Sequence, residues 1–290
     1  MYDHGWRRIG TLALFLGPSV VGIGVFLIGP IIASFALAFA HWDLLTAPRF
    51  AAFENFVTLL RDPEFWGALG HTLAFIVGYV PLVLAFGLLV AVALNGRIPG
   101  RGLWRAVYFL PVVTSWVAVA LVWKWLFNPS YGLINNALAG VGITGPAWLF
   151  DPAWAMPAVI LTSLWKDVGF VMTILLAGLQ GIPQEYLEAA SIDGANGSQR
   201  LWRITLPLLA PALFFALTIS LINSFQVFDQ VYVMTGGGPA GATTVLIERI
   251  VKNAFSYSKM GYAAAMSWAL FLLVFLSSFL ISRARARWSA

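Results

Sequence analysis

No cysteine occurs in this chain, and charge is scarce: Lys and Arg number 17, Asp and Glu 12, together 10% of 290 residues. The first absence excludes disulfides, thiolate metal sites and cysteine nucleophiles. The second excludes an ordinary soluble domain, in which about a quarter of residues are charged. So few charges cannot cover a water-exposed surface, and the solvent for much of the chain is lipid. Histidine is rare too. His4, His41 and His71 have no metal-ligand spacing among them and read as terminal, interfacial or buried polar residues, with no metal site. A Gly-x-x-x-x-Gly-Lys-Ser/Thr segment is missing, and with it the usual phosphate loop of an ATPase.

What is there is apolar: 60% of residues are hydrophobic and the mean hydropathy is +0.84. A helix needs about 20 apolar residues to cross the hydrocarbon layer. Residues 9–40, 65–96, 106–123, 204–228 and 260–282 hold no Asp, Glu, Lys or Arg, and 152–184 is interrupted only by Lys166 and Asp167 until its end. These six runs predict an all-α, polytopic helical bundle forming a single transmembrane domain over 1–290. The first run is too long for a signal peptide and lacks a small-residue cleavage site in the right place. Two further uncharged stretches read as loops. Residues 125–150 carry turn formers such as Asn128, Pro129, Gly132, Gly145 and Pro146, with room for some interfacial helix. Residues 230–247 contain Gly236-Gly237-Gly238-Pro239.

The basic residues set the expected orientation. With the N-terminus inside, the internal segments hold Arg7, Arg8, Arg97, Arg101, Arg105, Arg200, Arg203, Arg283, Arg285 and Arg287. External Arg49, Arg61, Lys124, Arg249, Lys252 and Lys259 are largely offset by Asp43, Glu54, Asp62, Glu64, Asp151 and Glu248. Both termini are therefore expected in the cytoplasm. The net charge of +5 is a topology signal and gives no reason to expect a nucleic-acid partner.

The internal segment between the fourth and fifth runs, 181–197, is dense in local signals. Pro183 suits a first helical turn, Glu185 favours the positive end of that helix, and Asp193-Gly194 is a stop. The spacing predicts a short helix over 183–192 outside the bilayer, with 198–205 leading into the fifth run. Ala189 and Ala190 are small enough to let another surface approach, and Glu188 offers a fixed charge. On these grounds a peg for a cytoplasmic partner and an ordinary membrane-surface helix remain equally open.

Glu188-Ala189-Ala190, three residues, Gly194, nine residues, then Ile204-x-Leu206-Pro207 resembles the EAA loop of ABC importer permeases. Asp193, Ala195 and Pro211 agree with its usual form. Leu176-Ala-Gly-Leu-Gln180 before the loop, Thr235-Gly-Gly-Gly-Pro239 and Gly261-Tyr-Ala-Ala-Ala-Met266 are similar to the maltose-type sugar permease subfamily. The resemblance covers roughly 10–285. It implies the type I permease fold and a cytoplasmic coupling loop over 183–205, with Glu185, Glu188, Ala189, Ala190, Asp193, Gly194 and Gly197 meeting the ATPase. It also implies a second homologous permease chain, two ATPase subunits that bind ATP and Mg, and an external solute-binding protein docking around Gly236–Ser258, on the external loop 233–258. The chain itself is expected to be non-catalytic, without cofactor, in the inner membrane of a prokaryote.

Polar groups within spans are costly and usually face a cavity or a partner helix. Trp165, Lys166 and Asp167 in the fourth run, and Asn223, Gln226 and Asp229 at spacings of three in the fifth, are the candidate solute path. Interhelical hydrogen bonding is the competing role, and Lys166 and Asp167 could neutralise each other or pair with the partner subunit. Trp116, Trp123, Trp125, Trp148 and Trp268 read as interfacial or packing residues. A carbohydrate is the expected solute. The alternative is glycerol 3-phosphate or another small polar solute, whose phosphate Lys166 would meet. A self-sufficient secondary transporter would show an inverted repeat, and a membrane-embedded enzyme would need converging acids or histidines; neither is evident.

Overall fold

A computed structural model of the chain describes residues 5–96 and 98–288, leaving aside the side chains of 6–9 and 284–288. Arg97 and the side chains of Arg7, Arg8, Arg285 and Arg287 lie outside that description. The chain divides into two units, 1–62 with 250–269 and 63–249 with 270–290.

In the first unit, α1 (Trp6–Ile23) and α2 (Gly29–Ala38) are joined by a π turn, Gly24–Ile28. A two-residue hairpin, β1 (Ala40–His41) and β2 (Arg49–Phe50), precedes α3 (Glu54–Arg61). Buried Asn55 donates from Nδ2 to the carbonyls of Ala38 and Ala40, satisfying backbone freed where α2 ends. His41 meets Glu54 at 2.8 Å. In the hairpin loop, the Thr46 and Leu45 amides and the Thr46 hydroxyl hold the Asp43 carboxyl below the usual carboxylate range, the Thr46 amide most. From the other end of the sequence the unit gains the start of α14 (Met260–Trp288), where Trp268 packs edge-on against Phe35 and Tyr262 donates to Asp62 at 2.6 Å.

The second unit is built on α4 (Pro63–Asn95) and α8 (Pro152–Gln180), packed along one another. Asp151 caps α8 by accepting from the Ala153 amide, and Pro152 occupies the first turn, where its missing N–H costs nothing. Around α8 lie α5 (Arg101–Val113), α6 (Trp116–Leu126), α11 (Leu206–Phe225) and α12 (Asp229–Met234). Helix α7 (Leu133–Gly140) occupies the expected loop 125–150. The expected loop 230–247 is more ordered than its glycines suggest, running from α12 to the start of α13 (Leu246–Val251).

Five helices are long and apolar enough to cross a membrane, and the pair α5–α6 makes a sixth if counted as one span. That pair corrects a sequence expectation. Residues 106–123 read as one straight span, but the chain turns by 99° between Val113 and Trp116. Thr114 and Ser115 are extended at the corner, with ψ of 141° and 137°. Hydropathy registers composition, and composition is blind to this turn.

Candidate functional site

Two places concentrate the predicted residues, the segment after α8 and a polar cavity beside its middle. In the first, the helix begins one residue later than expected, as α9 (Gln184–Ile192), because Pro183 is extended and flanks it. The stop is as the residues suggest: Gly194 takes φ +82°, and its amide and that of Ala195 return to the carbonyls of Ser191 and Ala190. This double closure is a Schellman end, and a left-handed residue is what it requires. Asn196 and Gln199 then cap each other's backbone at the start of α10 (Gly197–Arg200), and a π turn, Leu201–Thr205, runs into α11. The span thus starts at Gly197, seven residues ahead of the predicted run. Arg200 reaches back to the Ser191 hydroxyl at 2.6 Å and ties α10 to α9.

Glu185, Glu188, Ala189, Asp193, Gly194 and Gly197 are all exposed on this segment, with Tyr186 and Ile192 beside them. Ala190 is not: it keeps 8% of its surface. Of the two small residues only Ala189 is exposed.

The cavity holds about 240 Å³. Its wall draws Tyr79 from α4, Trp116 from α6, Asp167 from α8, Asn223 from α11, then Gln226 and Asp229 beyond it. The last three do not share one helix, contrary to the spacing argument. Helix α11 ends at Phe225, and α12 restarts at Asp229 after a break at Gln226–Phe228. Below the break, the Ser224 and Thr218 hydroxyls donate to the carbonyls of Ser220 and Phe214, a habit that bends helices. Trp116 follows the other break directly. Non-helical backbone at membrane depth is tolerated where protein or a cavity covers it, and both breaks adjoin this cavity.

Within the wall, Tyr79 donates its hydroxyl to Asp167 at 2.8 Å. Lys166 and Asp167, adjacent on α8, face different neighbours. The Lys166 Nζ donates to the carbonyls of Pro111 and Val112 at 3.1 and 3.0 Å and does not line the cavity. Trp165 is also outside the lining, half exposed and edge-on to Trp123. Of the six predicted path residues, Asp167, Asn223, Gln226 and Asp229 come together. Sequence reasoning missed Tyr79, Trp116 and Gln230. Gln230 carries a signal one residue from Asp229, whereas nothing local marks Tyr79 or Trp116. Chemically, the cavity offers acid and amide oxygens as acceptors, amide N–H donors, and aromatic faces.

The family described as the binding-protein-dependent transport system inner membrane component matches residues 83–289. The chain belongs to this family of ABC importer permeases. A probable ABC transporter permease of Bacillus subtilis, YesP, is 38% identical over 94% of this permease and 90% of its own length. The trehalose/maltose permease protein MalF of Thermococcus litoralis is 38% identical, covering 92% and 90% respectively. The lactose permease protein LacF of Rhizobium radiobacter is 36% identical, covering 96% and 93%. Among solved structures, a bacterial ABC transporter that imports the acidic polysaccharide alginate superposes with a TM-score of 0.85 at 25% identity, over 97% of this permease and 96% of that chain. The same system is solved in complex with a periplasmic protein holding an alginate pentasaccharide. The expected all-α permease fold is therefore the observed one, as is the expected family.

Proposed function

We propose that this permease conducts a neutral carbohydrate through the cavity walled by Tyr79, Trp116, Asp167, Asn223, Gln226 and Asp229, driven by a separate ATPase that grips α9. The observation that carries the reading is the connectivity: the segment 183–205 joins α8 to α11, and those two helices bear Asp167 and Asn223. Asp167 lies thirteen residues before Gln180, or about 20 Å along α8. A shift of α9 is thus delivered to the cavity wall by two stiff rods.

The lining argues for a neutral solute. It carries two carboxylates, Asp167 and Asp229, and no basic residue. Carboxylates accept hydrogen bonds from sugar hydroxyls and repel phosphate or uronate groups. Lys166, which a glycerol 3-phosphate permease would turn toward its solute, is engaged by backbone carbonyls instead. The acidic cargo of the alginate system is accordingly not assigned to this chain, whereas the lactose and trehalose/maltose permeases are the closer chemical parallel.

The other parts of the machine follow the family. The permease is the non-catalytic subunit, ATP and Mg belong to the two ATPase subunits, and a second homologous permease completes the path. Glu185, Glu188, Ala189 and Asp193 are the exposed contacts for the ATPase. Both termini face the cytoplasm of a prokaryote, and an external solute-binding protein docks around Gly236–Ser258.

The test is ATPase stimulation and uptake by the complex reconstituted with its binding protein, over a panel of neutral sugars, uronates and glycerol 3-phosphate. A neutral sugar is expected to stimulate. Stimulation by the anionic solutes alone would overturn the assignment.

A further inference from the structure

We propose that Lys166 is a positioning residue, the latch that holds the bent third span around Trp116 and, through Trp116, fixes one wall of the polar cavity. A helix end leaves its last carbonyls without helical partners. In a membrane no water is at hand to satisfy them. Helix α5 ends at Val113 and the chain turns by 99° before α6. The Thr114 amide returns to the Pro111 carbonyl. The Thr114 hydroxyl donates to the Leu110 carbonyl at 3.1 Å, and from α8 the Lys166 Nζ donates to Pro111 at 3.1 Å and to Val112 at 3.0 Å. A cation at the negative end of a helix is also favoured by the helix dipole.

The same Nζ stands 4.9 Å from the centre of the Trp116 ring. One group therefore touches the last turn of α5 and the first residue of α6, on both sides of the corner. Three residues along α8, on the same face, Gly169 abuts the Tyr108 carbonyl so closely that a Cβ there would run into it. The two residues clamp the final turns of α5 onto α8. Lys166 keeps only 4% of its surface, so its contacts are those of the protein interior. Trp116 meanwhile lines the cavity together with Asn223 and Gln226. Lys166 thus acts on the solute through the indole and does not touch it.

The effect on transport rests on the reading that this cavity is the solute path, and the experiment separates the two. The chain has no cysteine, so Ser115→Cys at the exposed corner takes a single nitroxide in the assembled complex, with partner subunits free of reactive cysteines. Spectra are recorded without solute for Lys166 and for the Arg, Gln and Met variants, and the uptake KM and maximal rate are measured for each. In Lys166→Met the immobilised spectral component should be lost and the KM should rise about tenfold, in proportion to a lost charge-assisted hydrogen bond. Lys166→Arg, with donors for both carbonyls, should restore both readouts. Lys166→Gln should fall between and serves where the Met variant does not reach the membrane. A raised KM with an unchanged spectrum, not rescued by Arg, would make Lys166 a direct solute ligand and overturn the latch. A changed spectrum with unchanged uptake constants supports the latch and overturns the cavity as the path.

Discussion

The segment 183–205 and the polar cavity share α8 and α11, yet they are held by different kinds of contact. Every hydrogen bond named for the segment joins residues fewer than ten positions apart: Gly194 to Ser191, Ala195 to Ala190, Asn196 with Gln199, Arg200 with Ser191. Its side chains are mostly exposed. In the cavity region the contacts that join one helix to another are long-range. Tyr79 reaches Asp167 across 88 positions and Lys166 reaches Pro111 across 55. The part proposed to dock on another subunit is made by local rules and left open. A part that must move with the bundle is assembled from four spans, so that shifting any one of them reshapes it.

The largest expected effect sharpens this contrast at the exposed end. Glu188→Lys reverses a charge on the face proposed to dock, without touching a buried group, and should cost about 2 kcal/mol or more at the interface, close to a thirtyfold loss of uptake. Membrane insertion and thermal stability of the isolated permease should be unchanged. Full uptake by this variant would remove the docking role.

Gly169→Val should be next, in the opposite sense. The added side chain collides with the Tyr108 backbone, and overpacking of that kind costs roughly 1–3 kcal/mol. The thermal midpoint in detergent should drop by several degrees. An unaltered midpoint would mean that α5 and α8 are not clamped there.

Within the cavity, Tyr79→Phe removes the hydroxyl that Asp167 accepts and keeps the ring. One net hydrogen bond is worth about 0.5–1.5 kcal/mol, so the uptake KM should change about two- to tenfold, with ATPase docking intact. A fall in maximal rate with docking lost would blur the division between the two regions.

Gly194→Ala is expected to be mildest, about 1 kcal/mol from the left-handed φ of +82°. Because the segment is locally closed, the loss should appear as faster amide exchange at Gly194 and Ala195, with no change at Asp167. Faster exchange at both places would show that the segment is not self-contained.

The same division decides what was legible in the sequence. The number of spans, the helix after Pro183 and its stop at Gly194 follow from composition and from residues within a turn or two of one another. The resemblance of Glu188-Ala189-Ala190 and its neighbours to the EAA loop carried the family. Ala190 is buried where Ala189 is exposed, and identity and spacing say nothing of which way a residue faces. Asn223, Gln226 and Asp229 were grouped on a helix that the break at Gln226–Phe228 interrupts, and they meet in the cavity nonetheless.

What the sequence alone determined is therefore the local and compositional part: a lipid solvent, from 10% charge and long apolar runs, and a short capped helix between two spans. The tertiary structure decided the 99° turn at Thr114–Ser115, the separation of Lys166 from Asp167, and the recruitment of Tyr79 and Trp116 into one wall. The physical reason is range. Caps and hydropathy act within a few residues, whereas Lys166 and Gly169, which meet carbonyls of the bend and admit its backbone, lie some fifty positions further along.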